Sequence, residues 1–569
     1  MATPSAAETA LVPASSGADA APVCVAGSPV GDGAQTAQLV PAMEHALADD
    51  GSLVMVMAGI PGWSFGMAMG AVVLLSFVAV ERARPRAWVP RALNLTASPR
   101  VHRIVRHRFF QAAFQLPILA IFLFTIYAGL VGNYAHNIAP VLVWTVWWAG
   151  LVFAVALLGN AFCFVCPWDA LANLSSRLSF WRKTETLSLS LPWPRVFHTV
   201  YPAIALFIGL TWLELGWGIT QDPRATATLG LGMAAVAASM ALLFEKKAFC
   251  RSVCLVGRVS GMYANAAPVE IRPRDLRVCG VCRSRACETG GGQGYPCPTG
   301  IDLGTTQMNT YCTQCTECFK SCRSLAPAIR VRAPGADLTR TAHVRMDEAL
   351  LAVVLLALTA FHGLSMTPAW ESFTPGSTGL IDWMRGSLGL PRMLAFSIGM
   401  TGVSAVPIGA YALASWVAWR LVRGSPIRTL DGPRAVRPTD LFKRQALAVL
   451  PVALCYHMAH NAAHILMEGQ QIVPLLSDPL GTGSDWFGTA SWHLQPILSQ
   501  EAVWLIQVVL VLTGHLAAVW VSHRIAHDSF DDKDAALRSG LPFLALMVAL
   551  SVGGLWLMHL DMNMRIGRM

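Results

Sequence analysis

Ten runs of mostly apolar residues divide the chain, near 60–80, 110–131, 139–161, 198–217, 226–245, 347–366, 394–419, 446–467, 501–522 and 541–560. Each approaches the ~20 residues that carry a helix across a ~30 Å hydrocarbon layer at ~1.5 Å per residue. The run at 60–80 is interrupted by glycines, and Pro407 predicts a bend in the seventh. The pattern predicts a polytopic all-α membrane protein of about ten transmembrane helices.

The loops between the runs alternate in charge. Residues 82–108 hold eight arginines and no acid, and residues 420–444 hold seven basic residues against two acids. Arg177, Arg182, Lys183 and Arg195 fall in the 162–197 loop, and 246–345 is also basic. These are alternate loops, so they share one side. By the positive-inside rule that side is the cytoplasm of a bacterial inner membrane. Ten spans then put both termini outside. Residues 1–55, rich in Ala, Ser, Gly and Pro near the start, read as a disordered outside tail. The first basic residue is Arg82, so the start does not read as a cleavable signal. Residues 56–249 make a first membrane domain with helices one to five. Residues 250–345 make a cytoplasmic insert, and 346–569 a second membrane domain with helices six to ten.

Composition agrees: 54% of the 569 residues are hydrophobic and 13% charged, against about 25% charged in soluble proteins. The net charge of +9 sits between the apolar runs and accompanies no nucleic-acid motif, so it argues for topology and against nucleic acid as a partner. Fourteen cysteines are too few for a disulfide scaffold in this length, and twelve of them cluster, which points to metal. Cys455, in an apolar helix, reads as packing; Cys24 carries no signal.

"YCTQCTECFKSC" places Cys312, Cys315, Cys318 and Cys322 at C-x2-C-x2-C-x3-C. The first three thiolates wrap three corners of a cubane, and the fourth ligates a neighbouring cluster. A second set precedes it: Cys279, Cys282 and Cys287, then Cys297 followed by Pro298. The expected crossing assigns Cys279, Cys282, Cys287 and Cys322 to one [4Fe–4S] cluster, and Cys297, Cys312, Cys315 and Cys318 to the other. Pro is missing after Cys322, and the first set is unusually spaced. Structural zinc is the competing reading. Eight cysteines within residues 279–322, with no histidine among them and a stepped triad, suit it poorly. The expectation is an inserted bacterial-type 2[4Fe–4S] ferredoxin domain that relays electrons.

Two more pairs end helices three and five: Cys163 and Cys166 in "AFCFVCPWDA", Cys250 and Cys254 in "FCRSVCLVGR". Topology puts both at the cytoplasmic surface. There they bind a metal or cluster, cycle as dithiol and disulfide, or stand as unrelated buried pairs. Lys246, Lys247 and Arg251 either depress their thiol pKa values or anchor the helix end. "GNAFCFVCPWDALA", "FCRSVCLVG" and the double ferredoxin motif together resemble the membrane polyferredoxin family, over about residues 110–330. That family includes the nitrous-oxide reduction regulator, the quinol-dehydrogenase membrane component of periplasmic nitrate reduction, and the cytochrome-oxidase accessory ferredoxin. The resemblance implies a cytoplasmic two-cluster domain, and electron transfer between the quinone pool or cytoplasm and a periplasmic or metal-assembling partner. It departs where Cys163 and Cys166 are spaced by two residues rather than three, and where Leu255 replaces Pro after Cys254. About 50 residues before the first span leave no room for a periplasmic flavin-binding domain like the regulator's. The resemblance therefore implies class, not pathway.

Histidines mark the second half. His457, His460 and His464 share a face of helix eight, His515 lies in helix nine, and His362 and His559 sit toward the outer ends of helices six and ten. Intramembrane ionisable groups are costly and usually functional. Similar depths make His457 and His515 candidate axial ligands of a b-type haem. His464, His362 and His559 are candidates for a second haem or metal, or for quinone contact; packing is the plain alternative for all. No C-x2-C-H occurs, so c-type haem attachment is not expected. Glu214 is an isolated acid near the outer face, with quinone proton transfer or contact with water as its readings. Asp169 and Asp302 read as turns or caps. The functional expectation is a membrane-bound iron–sulfur relay between cytoplasmic clusters and a membrane redox centre or quinone pool, serving redox partner proteins that the family places in the periplasm or membrane. Whether it has a substrate of its own is not legible. The alternatives are an accessory factor supplying electrons for metal-centre maturation and a transporter with regulatory clusters.

Overall fold

The apolar runs become helices where a polar side chain starts them. In the computed structural model, Asn137 caps Ile138–Leu158 by accepting from the Ala139 N–H at 3.0 Å. Asp222 caps Pro223–Leu243 by accepting from Ala225 at 2.9 Å, with Pro223 in the first turn, where its missing N–H costs nothing. Ser499 caps Gln500–Ser529 in the same way, and Asp532 caps Lys533–His559. The residues described are 44–47, 53–82, 92–180, 183–341, 344–372, 378–492 and 494–565.

Twelve helices matter here. They are α1 (Gly62–Arg82), α2 (Phe109–Val131), α3 (Ile138–Leu158), α4 (Pro167–Arg177), α5 (Tyr201–Gly216), α6 (Pro223–Leu243), α7 (Leu255–Tyr263), α8 (Met346–Ser365), α9 (Arg392–Val422), α10 (Leu450–Ala463), α11 (Gln500–Ser529) and α12 (Lys533–His559). All ten expected runs are helical. Among the described residues, eight helices are long and apolar enough to cross a membrane, α10 lying within a continuous stretch Pro438–Ser477. The other two, Gly62–Val78 of α1 and α5, are apolar but shorter. α9 continues through Pro407. The protein is thus a mostly helical, multi-pass membrane protein.

Two helices are central. In α8 and Pro438–Ser477, 72% and 78% of the apolar window is buried, against 22–44% in the other six spans. The outer helices instead expose large apolar side chains such as Phe114, Ile121 and Leu123 of α2 and Val406, Leu413 and Trp416 of α9, the surface a lipid solvent requires. The histidines of α8 and α10 therefore face protein.

Three short antiparallel strands join the chain's ends: β1 (Glu44–Leu47) pairs with β2 (Leu53–Met57), and β2 with a strand at Met562–Arg565. The expected unstructured tail, residues 1–55, thus carries strand at 44–47 and 53–55. Cys24 and residues 1–42 lie outside the described residues.

The cysteine-rich segment is built onto the helices. β3 (Leu93–Asn94), β4 (Val269–Pro273) and β5 (Pro327–Val331) form an antiparallel sheet in the order β3-β5-β4. A buried network stitches it to the second cysteine motif. Arg332 pairs with Glu270 at 2.8 Å and with Asp337 at 2.5 Å, Arg272 pairs with Asp337 at 3.3 Å, and Asp337 accepts from the Asn309 N–H at 3.0 Å. α7, wholly buried, lies between this segment and the bundle. Arg258 of α7 donates to the Thr310 carbonyl at 3.2 Å and lies over the Tyr311 ring at 4.7 Å. The Tyr311 hydroxyl in turn donates to Glu348 of α8 at 2.7 Å. Past the end of α3, Asn160 donates to the Cys312 carbonyl at 2.8 Å, and Gln314 donates to the Leu158 carbonyl at 3.1 Å.

Candidate functional site

Cys279 closes a short helix, Leu276–Gly280, which Asp275 starts by accepting from the Arg277 N–H at 2.8 Å. Cys318 lies in the helix Glu317–Ser321, and Cys322 follows directly. Burial raises the Cys279 thiol pKa, and Cys322 and Cys282 beside it raise it further. Burial raises Cys287 as well, with Asp302, Cys322 and Cys279 as its charged neighbours. Burial also raises Cys312, Cys315 and Cys318, and the charge of Cys297 bears on all three. Cys287, Cys312 and Cys318 pack against one small apolar cluster of Val105, Ile271, Leu303 and Phe319.

The glycine-rich stretch packs the chain between the two motifs tightly. Gly290 has φ of +85°, a conformation that L side chains rarely adopt. A Cβ on Gly294 would stand 2.1 Å from Ser321 Oγ and 2.7 Å from the Glu317 carbonyl, so only glycine lets this loop lie against the Cys318 helix. Cys282 is exposed, and the other seven are half-buried. Among the described residues, no three His, Cys, Asp or Glu side chains are placed to hold a single metal ion. Four sulfurs around one zinc at about 2.3 Å would stand roughly 3.8 Å apart, whereas a cubane presents four separate iron corners. An all-thiol donor set is the chemistry that both an iron–sulfur cluster and structural zinc use.

The membrane-face pairs converge. Cys163, Cys166, Cys250 and Cys254 line one cavity of about 40 Å³, and Cys315 lines it too. Burial is the largest effect on all four thiols; it pushes Cys163 up to about 12 and raises the others. Lys247 does pull the Cys250 thiol down, but burial outweighs it. Lys247 is paired with the buried Asp169, which also accepts from Gln115 at 3.1 Å and Asn173 at 3.0 Å. Asp169 is thus more than a local turn, whereas Asp302 does make a turn, accepting from the Gly304 N–H at 2.9 Å. Cys455 packs where α11 approaches at Gly514, whose added Cβ would stand 2.6 Å from Cys455 Cβ.

The histidines separate into two groups. His515 is fully buried; its Nε2 lies 2.7 Å from Ser76 Oγ of α1 and its Nδ1 2.9 Å from Ser551 Oγ of α12. Both ring nitrogens are engaged with hydroxyls, which leaves neither for iron. His515 as an axial partner of His457 is therefore withdrawn in favour of an interhelical hydrogen-bond hub. His559 is likewise structural: Nδ1 lies 2.6 Å from the Ile60 carbonyl and the ring stacks on Phe65 at 5.3 Å. His362, His460 and His464 do meet. Ring centroids are 6.3 Å apart for His362 and His460, and 5.1 Å for His460 and His464. Carboxylates close both ends, with Glu214 3.5 Å from His362 Nε2 and Glu468 3.2 Å from His464 Nδ1. His464–Glu468 is a π-helical turn, a geometry frequent at functional sites. His457, one turn before His460, places Nδ1 3.5 Å from the Tyr263 hydroxyl of α7. Glu468, Tyr263 and Arg258 carried no sequence signal, although a Glu four residues past His464 on a helix was a visible pairing.

No protein-family model matches the chain, and no curated protein or solved structure matches it either.

Proposed function

We propose that this protein is a membrane-bound iron–sulfur electron relay of the bacterial inner membrane. Its cysteine-rich segment would be a cytoplasmic two-cluster ferredoxin domain, and its bundle would exchange electrons with a quinone or a membrane redox partner. The observation that supports the reading is the cysteine pattern itself, C-x2-C-x2-C-x3-C at Cys312, Cys315, Cys318 and Cys322 preceded by Cys279, Cys282, Cys287 and Cys297. When bound, each four-iron cluster supplies one-electron chemistry.

The chain's own residues divide the remaining work. Cys282 is exposed beside Val281 and the exposed Arg277, Arg283 and Arg285. That face suits docking of a soluble redox protein with an acidic surface. Thr310, Cys312 and Cys315 lie on the inner side, against α7 and the residues past α3. On the far side of the bundle, His362, His460 and His464 between Glu214 and Glu468 are the groups to take or release the protons of a quinol, since buried imidazoles and carboxylates at hydrogen-bonding range hand protons on.

Anaerobic purification of the full chain in mild detergent tests the reading. The expected result is at least about eight irons and eight acid-labile sulfides per chain, four for each cubane, with an EPR signal after reduction. One or two zincs without sulfide would sink it.

A further inference from the structure

The four cysteines at the membrane face come from two distant stretches, and each is fixed by its own local geometry. Cys163 sits in the short helix Ala161–Val165, and Cys166 ends it at the first turn of α4. Cys250 lies in the π-helical turn Phe249–Val253, and Cys254 is the cap of α7, its sulfur accepting from the Gly257 N–H at 3.4 Å. The side chains converge on one cavity. A Cβ built on Gly257 would stand 3.7 Å from Cys254 Sγ and 3.9 Å from Cys163 Sγ. Those two sulfurs, from different stretches, are therefore no more than 7.6 Å apart. Helix α7 presents bare backbone between them.

A second feature points to an anion there. Arg258, one turn along α7, is 1% exposed, and its Nε and Nη2 have no hydrogen-bond partner. Its charge bears on Cys163 and Cys254. A buried guanidinium left with two free donors and neutral thiols for neighbours is costly. Thiolates, held ionised by a metal, supply the missing negative charge. The only carboxylate lining the cavity, Asp169, is committed to Lys247, Gln115 and Asn173. The donor set is therefore sulfur alone. Soft thiolates select iron–sulfur clusters, copper(I) or zinc, and a fifth sulfur, Cys315, lines the same cavity.

We propose that Cys163, Cys166, Cys250 and Cys254 hold a third iron–sulfur cluster, a four-iron cubane, at the membrane face of α3 and α6, adjoining the inner ferredoxin-type set through Cys315. Ligation forms four iron–sulfur bonds as four thiol protons leave to water, so binding strengthens as the pH rises. The site rests on its own cysteines; only its role, linking the cysteine-rich segment to the bundle, rests on the relay reading. Cys315 lines the same cavity, so no insulating layer of protein separates the third position from the second.

The test uses the full chain, purified anaerobically in mild detergent, with iron, acid-labile sulfide and zinc counted for four forms. The wild type should carry about twelve irons and twelve sulfides, four for each of three cubanes. Cys250→Ala/Cys254→Ala should lose about one third of both, while Cys455→Ala loses none. Cys312→Ala/Cys315→Ala should lose irons of the ferredoxin-type segment while Cys250 and Cys254 stay shielded from alkylation until iron is chelated, a readout that does not depend on the first double variant folding. About eight irons in the wild type, unchanged in Cys250→Ala/Cys254→Ala, overturns the third centre and leaves the relay reading standing. Iron-free wild type overturns both. One zinc, or one copper, lost with Cys250 and Cys254 overturns the cluster in favour of a single ion. A protein lighter by two hydrogens, with no alkylatable thiol at these positions, overturns it in favour of a disulfide.

Discussion

Gly261→Ala should pry the second cysteine motif from the membrane bundle. A Cβ at this position in α7 would stand 2.1 Å from the Thr310 carbonyl oxygen and 3.2 Å from its carbon. The obstacle is backbone, so no side-chain rotation relieves it. Restoring 3.4 Å, the near edge of ordinary contact, requires about 1.3 Å of movement. That movement breaks the bond from Arg258 Nη1 to the Thr310 carbonyl at 3.2 Å and strains the one from Asn265 Nδ2 to Thr310 Oγ1 at 3.0 Å. Overpacking costs about 1–3 kcal/mol, and two bonds cost about 1 kcal/mol each. Removing a helical glycine returns about 1 kcal/mol. The net is about 2–4 kcal/mol against docking, or a factor of roughly 30–1,000 in the local opening equilibrium at about 1.4 kcal/mol per tenfold. Hydrogen exchange followed by mass spectrometry should show protection at residues 309–312 falling by that factor. The control is Gly386→Ala, where an added Cβ meets nothing within 4 Å. Equal exchange at 309–312 in the two variants would refute the docking geometry.

His102, buried beside Phe319 in the helix Pro99–Arg106, has its pKa lowered by burial and then by Arg274. The unfolded chain therefore takes the proton first, so its contribution to stability is full above about pH 6.5 and falls as the pH drops toward the lowered folded value; thermal unfolding at pH 5 and 7.5 should show this slope, and His102→Leu should flatten it, an unchanged slope counting against the assignment. His515→Ala leaves two serine hydroxyls without their partner and should destabilise the bundle by about 1–3 kcal/mol while leaving the visible spectrum unchanged; loss of a haem band would restore His515 as a ligand. Reporter fusions at residues 335 and 490 should give opposite signals, because the basic loops alternate; the same signal from both ends that topology.

The spans were legible because a bilayer demands apolar side chains all round a helix, whichever neighbour it faces. For the same reason the sequence could not say that α8 and α10 stand at the centre: an apolar side chain looks alike against lipid and against protein. Convergence of the membrane-face pairs followed from counting alternate loops. His515 was misread because helical rise gives depth but not azimuth; its serines lie 439 and 36 residues away. Arg258 passed unremarked because a lone arginine after "VG" among many basic loop residues gives no sign of burial.

The short sheet that ties Leu53–Met57 to Met562–Arg565 has a consequence in time. α1 packs against α11 and α12; its Ser76 bonds to His515, and the Ile60 N–H just before it donates to Met558 at 2.9 Å. α1 therefore has as its partners two helices synthesised long after it. At about 5–20 residues per second, roughly 25–100 s of synthesis separate them. Throughout that interval α1 waits without the helices it packs on, and β2 keeps one edge unpaired. Removing α12 would leave α1, far from it in the sequence, without a place to pack.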